Sequence, residues 1–416
     1  DAIHASAPRF LVVDPENAKL GAELSARVLV LGGANEARDL PPGAIDMERI
    51  DPDEVELPSW YEPDPGCASD LGLIVLTAGR GRSPRAAKIT NQRWAFSAYG
   101  TAAACTLSPR DTVYCCLPLH HPAGMLVAVG GGLVGGARLA LATEFNPTTF
   151  WDDVHRYGAT VVFYAGEMLR ELLRAPPLAT DNQNPIRLFA GSGLRRVVWE
   201  RVVERFGPVG ILEFYASTEG NAVLANASGE KVGALGRPLP GSAEVELACY
   251  DFDEDTFMRG SDGLLQLCDD DEDGVLIARL DSNHPLAIAS FAAGAEAGSR
   301  LVQGVREPDD TWFITWDVLR RDADGDFTFV DRVSRMLQTA EGRVATRSIE
   351  DALEALGPLR HAVVFGTSEQ GADQAVAVVA TAGDEPIDLE RWNELIEGLE
   401  PGRATPSRGV SGKVRG

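Results

Sequence analysis

Apolar runs at 10–13, 28–31 and 73–76 alternate with segments of helical spacing, and this alternation predicts parallel strands joined by crossover helices. Residues 41–65 are rich in proline and acid and read as an excursion over the surface. The pattern resumes with strands at 112–119, 160–164 and 187–190 and helices at 150–157, 168–173 and 197–206, a second α/β unit. The strand at 187–190 runs into Gly191-Ser192-Gly193. From Val232 onward the runs shorten to 243–248, 263–267 and 274–280, with Asp262-Gly263 and Asp273-Gly274 as turns, so a small β-rich subdomain is expected. Runs at 312–315 and 327–330 flank Asp324-Gly325 as a hairpin, and past Asp331-Arg332 the pattern returns to mixed α and β. A large domain over 1–331 and a small C-terminal domain over 332–416 follow.

The most apolar stretch, 123–137, holds Gly130, Gly131, Gly132, Gly135 and Gly136 and falls short of the ~20 residues a membrane span needs. It reads as packed core; peripheral membrane contact, and with it membrane association, stays open without visible support in the sequence. With 416 residues, 44% hydrophobic and 24% charged, the chain is long enough for two or three cores. Its 62 acidic and 38 basic residues give a net charge of -24, which opposes binding to nucleic acid or anionic lipid. A polyanionic ligand therefore needs a local basic pocket. Six cysteines, with Cys115-Cys116 adjacent and no CxxC pair, suit neither a zinc site nor a disulfide framework and point to a reducing, cytoplasmic setting. The chain opens at Asp1 without the charged start or apolar core of a secretion signal, and further sequence or a fused domain is expected upstream.

Two segments carry candidate chemistry. Residues 76–88 follow an apolar strand with small residues and cations: Thr77, Ala78, Gly79, Arg80, Gly81, Arg82, then Arg85 and Lys88. Backbone N–H groups of such a loop approach phosphates closely and the cations neutralise them; a basic surface turn is the plain alternative. The run Phe214-Tyr215-Ala216-Ser217-Thr218-Glu219-Gly220-Asn221 joins an aromatic ring, hydroxyls and a carboxylate in one turn. Tyr215 suits stacking on a purine, Thr218 a phosphate, and Glu219 magnesium, a hard ion that prefers oxygen ligands.

In order and separation these segments resemble those of the adenylate-forming superfamily of acyl-CoA synthetases, luciferases and peptide-synthetase adenylation domains. The first resembles its Thr-Ser-Gly-Thr-Thr-Gly-x-Pro-Lys-Gly phosphate loop, the second its Tyr-Gly-x-Thr-Glu motif. The trailing Gly220-Asn221 is similar to the fatty-acid transport type of acyl-CoA synthetase. Leu117-Pro118-Leu119-His120-His121, Tyr164-Ala165-Gly166-Glu167, Gly191-Ser192-Gly193-Leu194-Arg195, Gly236-Arg237-Pro238, Thr315-Trp316-Asp317 and Val330-Asp331-Arg332 extend the likeness over nearly the whole chain.

The resemblance implies the adenylate-forming α/β fold: a large N-terminal domain of α/β subdomains plus a β-rich subdomain, and a small mobile α+β C-terminal domain, with the N-terminal part of the family fold missing. It implies that Asp317 and Arg332 hold the ribose hydroxyls, that Gly191, Ser192, Gly193 and Tyr215 frame the adenine, and that Phe214, Ala216 and Ser217 belong to the same nucleotide-binding turn. Thr218 would meet the α-phosphate, Glu219 the Mg2+, and 77–85 the β- and γ-phosphates. His121, Gly124, Gly166 and Glu167 would stand on the acyl side, with glycine-rich walls around 124–136 and 164–168 forming an acyl tunnel. Ser411-Gly412-Lys413 resembles the motif of the family's catalytic lysine, whose ammonium neutralises charge during adenylation; Ser334 aligns with the hinge of the small domain. The implied reaction joins a fatty acid to coenzyme A at the expense of ATP, through an acyl-adenylate.

The chain departs from the pattern in three places. Ala78, Arg80 and Gly81 stand where Ser, Thr and Thr are usual, and Arg85 replaces a lysine. Trp316 replaces the glycine between Thr315 and Asp317, and the Lys-Gly pair that approaches coenzyme A is absent from 334–346. Two rivals follow: adenylation with a different acyl acceptor, and a catalytically degenerate acyl- or nucleotide-binding domain of a larger fusion protein.

Overall fold

The structure is a computed structural model and describes residues 8–22, 26–33, 39–77, 85–216, 222–280, 300–339, 342–355, 359–369 and 372–381. Backbone proximity divides the chain into two units, 1–92 and 93–416. In the first, β1 (Phe10–Val13), β2 (Arg27–Val30) and β3 (Ile45–Asp46) form a parallel sheet, with Ala18, Val28 and Val30 as its core. β4 (Leu71–Thr77) and β5 (Arg85–Thr90) form an antiparallel ribbon. The parallel arrangement expected for 73–76 is corrected here: the strand pairs with the one that follows it. Apolar alternation marks a strand but not its partner.

The second unit is built on a seven-stranded sheet. Its members are β6 (Thr112–Cys115), β7 (Arg138–Leu141), β8 (Val161–Ala165), β9 (Leu188–Ser192), β10 (Gly210–Ala216), β11 (Val223–Asn226) and β12 (Arg237–Pro238). They lie in the order β12-β11-β10-β9-β8-β6-β7, with β6 to β10 parallel and the last two antiparallel. Both faces are covered, which is why these strands are continuous apolar runs. Tyr114, Val162, Tyr164, Phe189 and Ile211 pack on one face against helices Phe150–Tyr157, Gly166–Arg174 and Arg196–Phe206. Their neighbours Val113, Val161, Phe163, Ala190 and Leu212 pack on the other face.

The glycine-rich stretch is helical, opening with a widened π-type segment at Ala123–Val129 and closing as Gly130–Gly135. Its glycines are there for packing. A Cβ on Gly131 would lie 2.6 Å from Thr101, one on Gly132 2.4 Å from Leu139, and one on Gly135 2.5 Å from Leu107. Among the described residues no helix is long and apolar enough to cross a membrane.

The β-rich subdomain holds β13 (Val245–Ala248), the small ribbon β14 (Tyr250–Asp251) with β15 (Thr256–Phe257), then β16 (Asp273–Arg279), β17 (Leu301–Gln303), β18 (Thr311–Arg321) and β19 (Phe327–Arg332). The run at 263–267 is not a regular strand; it makes isolated bridges, Leu265 to Arg259 and Leu267 to Ala248. The hairpin expected around Asp324-Gly325 joins β18 to β19, with Gly325 at φ +85°. Beyond it lie β20 (Met336–Thr339), β21 (Gly342–Ala345), helix Thr346–Ala355 and the ribbon of β22 (Leu359–Glu369) and β23 (Ala372–Thr381), closed around Leu337, Val344, Ile349, Leu353 and Val364.

Candidate functional site

Three parallel strands end side by side, and their register sets Tyr164 of β8, Gly191 of β9 and Glu213 of β10 in one row. Gly191 has no side chain because the Tyr164 ring occupies that space; a Cβ there would lie 2.7 Å from the ring and 2.2 Å from the Tyr164 carbonyl. Across this gap Tyr164 Oη donates to Glu213 Oε2 at 2.5 Å. Glu213 Oε1 accepts from the amides of Gly193 at 2.6 Å and Leu194 at 3.0 Å. The strip Gly191-Ser192-Gly193 is thereby tied to the sheet by a carboxylate that is 2% exposed. Burial pushes the Glu213 carboxyl up from its ordinary 4.5 to about 7, against the pull of the Tyr164 hydroxyl and the two amides. Gly166 closes the strip from the other side, since any Cβ there would fall 2.1 Å from the Gly193 carbonyl oxygen.

A second group forms where β10 meets the β-rich subdomain. β18 and β19 pair Asp317 directly with Arg332. Tyr215, two residues after Glu213 on the same face of β10, donates from Oη to Asp317 Oδ2 at 2.6 Å. Arg332 Nε stands 3.6 Å from Oδ1, with the arginine side chain 70% exposed and that of Asp317 18%. Burial raises the Asp317 carboxyl, opposed by the Tyr215 hydrogen bond and by the charges of Arg332 and Arg300. Burial beside Asp317 drives the Tyr215 hydroxyl far above its ordinary range.

A bulge aims Asp317. Ile314 pairs with Ile277 and Val318 with Val275, so residues 315–317 face the single residue Leu276. Thr315 Oγ1 donates to the Leu276 carbonyl at 2.8 Å and accepts from the Asp317 amide at 3.1 Å. Trp316, at the crest, has φ +62°, the conformation that a glycine adopts at no cost. Its ring turns into the core, with centroids 5.9 Å from both Tyr250 and Phe257. The ring thus packs in a different cluster from Tyr215.

Phe214 packs on the opposite face of the sheet, and Ala216 is exposed at the strand end. His121 Nδ1 accepts from the Ala123 amide at 3.1 Å, so the ring caps the helix that follows; partial burial and neighbouring His120 lower its pKa. Gly124 passes against the backbone, where a Cβ would fall 2.4 Å from the Pro118 carbonyl oxygen. Glu167 is exposed, 3.6 Å from Arg170 Nε and 3.9 Å from His361 Nδ1. Thr77 and Arg85 face each other as the last register pair of β4 and β5. Ala78, Gly79, Arg80, Gly81, Arg82, Ser217, Thr218, Glu219 and Lys413 lie outside the described residues.

Two features were missed by sequence reasoning. Glu213 left a signal, an acid between apolar Leu212 and Phe214 in a strand covered on both faces. The other is a set of ion pairs on helix Thr346–Ala355. Arg195, directly after the anchored Leu194, reaches Glu350 at 2.9 Å and also Asp351, while Arg170 meets Glu354 at 2.5 Å.

A seven-stranded sheet whose parallel strand ends carry a glycine strip, beside a β-rich subdomain presenting Asp317, defines the fold of adenylate-forming enzymes. The solved amide bond synthetase McbA from Marinactinospora thermotolerans matches with TM-score 0.71 and 22% identity, covering 98% of this chain and 76% of that one. ATP-bound MatB from Rhodopseudomonas palustris matches with TM-score 0.75 and 20% identity, covering 98% and 75%. The O-succinylbenzoate coenzyme A synthetase MenE from Bacillus subtilis, in complex with AMP, matches with TM-score 0.71 and 19% identity, covering 98% and 75%. These likenesses are of fold.

The model of the AMP-binding enzyme family matches residues 2–265, and the chain belongs to that family. It is 32% identical over 343 residues to the medium/long-chain-fatty-acid–CoA ligase FadD6 of Mycobacterium tuberculosis, covering 82% of this chain and 56% of the relative. It is 32% identical over 339 residues to long-chain fatty acid transport protein 5 of Mus musculus, covering 80% and 49%. The chain spans about half the length of these curated relatives.

Proposed function

We propose that this chain activates a fatty carboxylic acid with ATP, forming an acyl-adenylate with release of pyrophosphate, and passes the acyl group to coenzyme A with release of AMP. The observation that carries the reading is the Tyr215–Asp317–Arg332 group. Tyr215 occupies one oxygen of the carboxylate, and the other faces Arg332 across 3.6 Å, room enough for a ligand hydroxyl to compete. Two vicinal hydroxyls of a ribose suit this pair, one donating to the free carboxylate oxygen and one accepting from the guanidinium. The Gly191-Ser192-Gly193 strip, anchored through Glu213, suits the face of an adenine, with Tyr215 near the end of the adjacent strand β10 to complete the frame.

In this reading Thr218 meets the α-phosphate, residues 77–85 close over the outer phosphates, and Lys413 neutralises charge at the reacting carboxylate. Glu219 would hold Mg2+, which supplies charge neutralisation on the phosphates. His121, Gly124, Gly166 and Glu167 border the acyl side, and the division at 331/332 lets the small domain change position between the two steps. The work of the protein is alignment and electrostatic stabilisation, consistent with no nucleophilic serine or cysteine among these residues.

The test is exchange of labelled pyrophosphate into ATP by the purified chain. Exchange that requires a fatty acid and falls at least tenfold in Asp317→Ala supports the proposal, and thioester formation on adding coenzyme A completes it. Exchange without thioester would replace the acceptor, and no exchange with any carboxylate would remove the catalytic reading.

A further inference from the structure

The six cysteines carry no pairing motif, yet two of them meet in space. The bridge between Ala248 and Leu267 is flanked by hydrogen bonds from the Cys249 amide to the Gln266 carbonyl and from the Cys268 amide to the Leu247 carbonyl, each 2.9 Å. Cys249 and Cys268 therefore lie diagonally on one face of this pairing, within mutual reach. Their Sγ atoms are 2.7 Å apart.

We propose that Cys249 and Cys268 are a modification site, a dithiol that closes to a disulfide when met by a peroxide. Three observations carry this. The separation is well inside the roughly 3.5–4 Å at which unbonded heavy atoms rest, and within an ångström of the ~2.04 Å of a disulfide. Backbone holds both cysteines, and Cys268 Sγ is wedged in place. A Cβ on Gly274 would lie only 2.7 Å from it, so the absent side chain at 274 makes the niche for this sulfur. Finally, the sulfurs stand too close together for the metal cage that Glu272 would otherwise complete, its carboxylate oxygen and both sulfurs lying within 4.8 Å of one another. Glu272 already accepts from the Asp269 amide at 3.0 Å, and two thiolates on one tetrahedral zinc would have to part to about 3.8 Å.

Burial separates the roles of the two sulfurs. Cys268 is 6% exposed while Cys249 is only partly covered, so the oxidant reaches Cys249 first. Its sulfur attacks one peroxide oxygen; the O–O bond breaks, leaving a sulfenic acid and one water. The Cys268 thiol then loses its proton and its sulfur attacks Cys249 Sγ. The S–O bond breaks and a second water leaves. Two electrons pass from the sulfurs to hydrogen peroxide, and both thiol protons end in water. Burial pushes both thiols up, so the couple is slower than an exposed low-pKa thiol and needs sustained oxidant. The bond would fix the residue preceding Tyr250, whose ring packs against Trp316.

The test uses the purified full chain, reduced or exposed to hydrogen peroxide, unfolded in iodoacetamide, digested and weighed by mass spectrometry. The expected result is a Cys249 peptide joined to a Cys268 peptide, lighter by two hydrogens, unlabelled, and cleaved by dithiothreitol. The thermal midpoint should rise by roughly 5 °C in the oxidised sample and return on reduction. Full labelling of both cysteines after peroxide, a link from either to Cys67, or oxidation stopping at a sulfinic acid would overturn the proposal. So would stoichiometric zinc in the reduced protein that shields both thiols from label. The bond is read in the unsubstituted chain; Cys249→Ser and Cys268→Ser serve as controls in which the joined peptide must vanish.

Discussion

Strand β10 contributes Glu213 and Tyr215 on one face, and the two tyrosine–carboxylate pairs they enter are used in opposite ways. Tyr164 meets Glu213 in a site where every carboxylate oxygen is spent on the protein itself, on a hydroxyl and two backbone amides. Tyr215 meets Asp317 in a site where one oxygen is spent and the other faces an exposed guanidinium across a gap. Similar groups at similar distances thus do different work. A carboxylate that is saturated and buried positions a loop; one left with an open oxygen beside an exposed guanidinium is available to a ligand.

The comparison breaks most visibly at Glu213→Ala. This leaves two amides and a tyrosine hydroxyl without a partner, and at ~1–3 kcal/mol per unsatisfied group, after partial relaxation, unfolding stability should fall by about 3–4 kcal/mol. Denaturant midpoints measure it, and a loss under about 1 kcal/mol would show that the strip does not depend on this acid.

Asp317→Ala tests the other half. Hydrogen bonds to a charged group are worth about 1.5–3 kcal/mol, so affinity for ATP should weaken roughly 10- to 150-fold with a smaller change in stability. Calorimetry reads both, and unchanged affinity would remove Asp317 from the ligand site.

The pH dependence separates the two acids next. The Glu213 carboxyl lies at about 7 in the folded chain against an ordinary 4.5, so between those values the folded form holds a proton that the unfolded form has released. Stability from this group is therefore greatest below 4.5 and is lost as pH rises towards 7. In Glu213→Gln, which keeps an oxygen for the amides and an NH2 for Tyr164, that slope should flatten while nucleotide affinity stays. An undiminished slope in the variant would assign it to other groups.

Trp316→Gly has the smallest expected effect. Relief of the left-handed backbone is worth about 1 kcal/mol, while removing a half-buried ring from Tyr250 and Phe257 costs about 2 kcal/mol. The ring should win, with a net loss of about 1 kcal/mol in thermal or denaturant unfolding. A net gain would mean that backbone strain dominates at the bulge.

Much of this was legible because strands covered on both faces appear as unbroken apolar runs, and because Gly191-Ser192-Gly193 and Arg332 sit where strands end, whereas Asp317 stands at a bulge inside β18. The hairpin at Asp324-Gly325 followed from turn chemistry alone. What escaped was pairing. Alternation marks which residues share a face, but not which strand lies alongside, so β4 alone is expected in a parallel set and the start of its antiparallel partner β5 reads as part of the loop that follows. The same limit hid the Cys249–Cys268 contact, which depends on a bridge between Ala248 and Leu267 with no regular strand at 263–267. Trp316 was legible as an oddity, but its direction depends on a three-against-one bulge that no local pattern encodes.

The anchoring of the glycine strip has a mechanical consequence. Leu194 is fixed to the sheet through Glu213, and the very next residue, Arg195, is fixed to helix Thr346–Ala355 through Glu350 and Asp351. A single peptide unit therefore acts as the link between a stationary floor and whatever that helix does. Loosening the grip with Glu350→Gln should speed hydrogen exchange at the amides of 193 and 194 ahead of the rest of the sheet; uniform protection would mean that the link is slack.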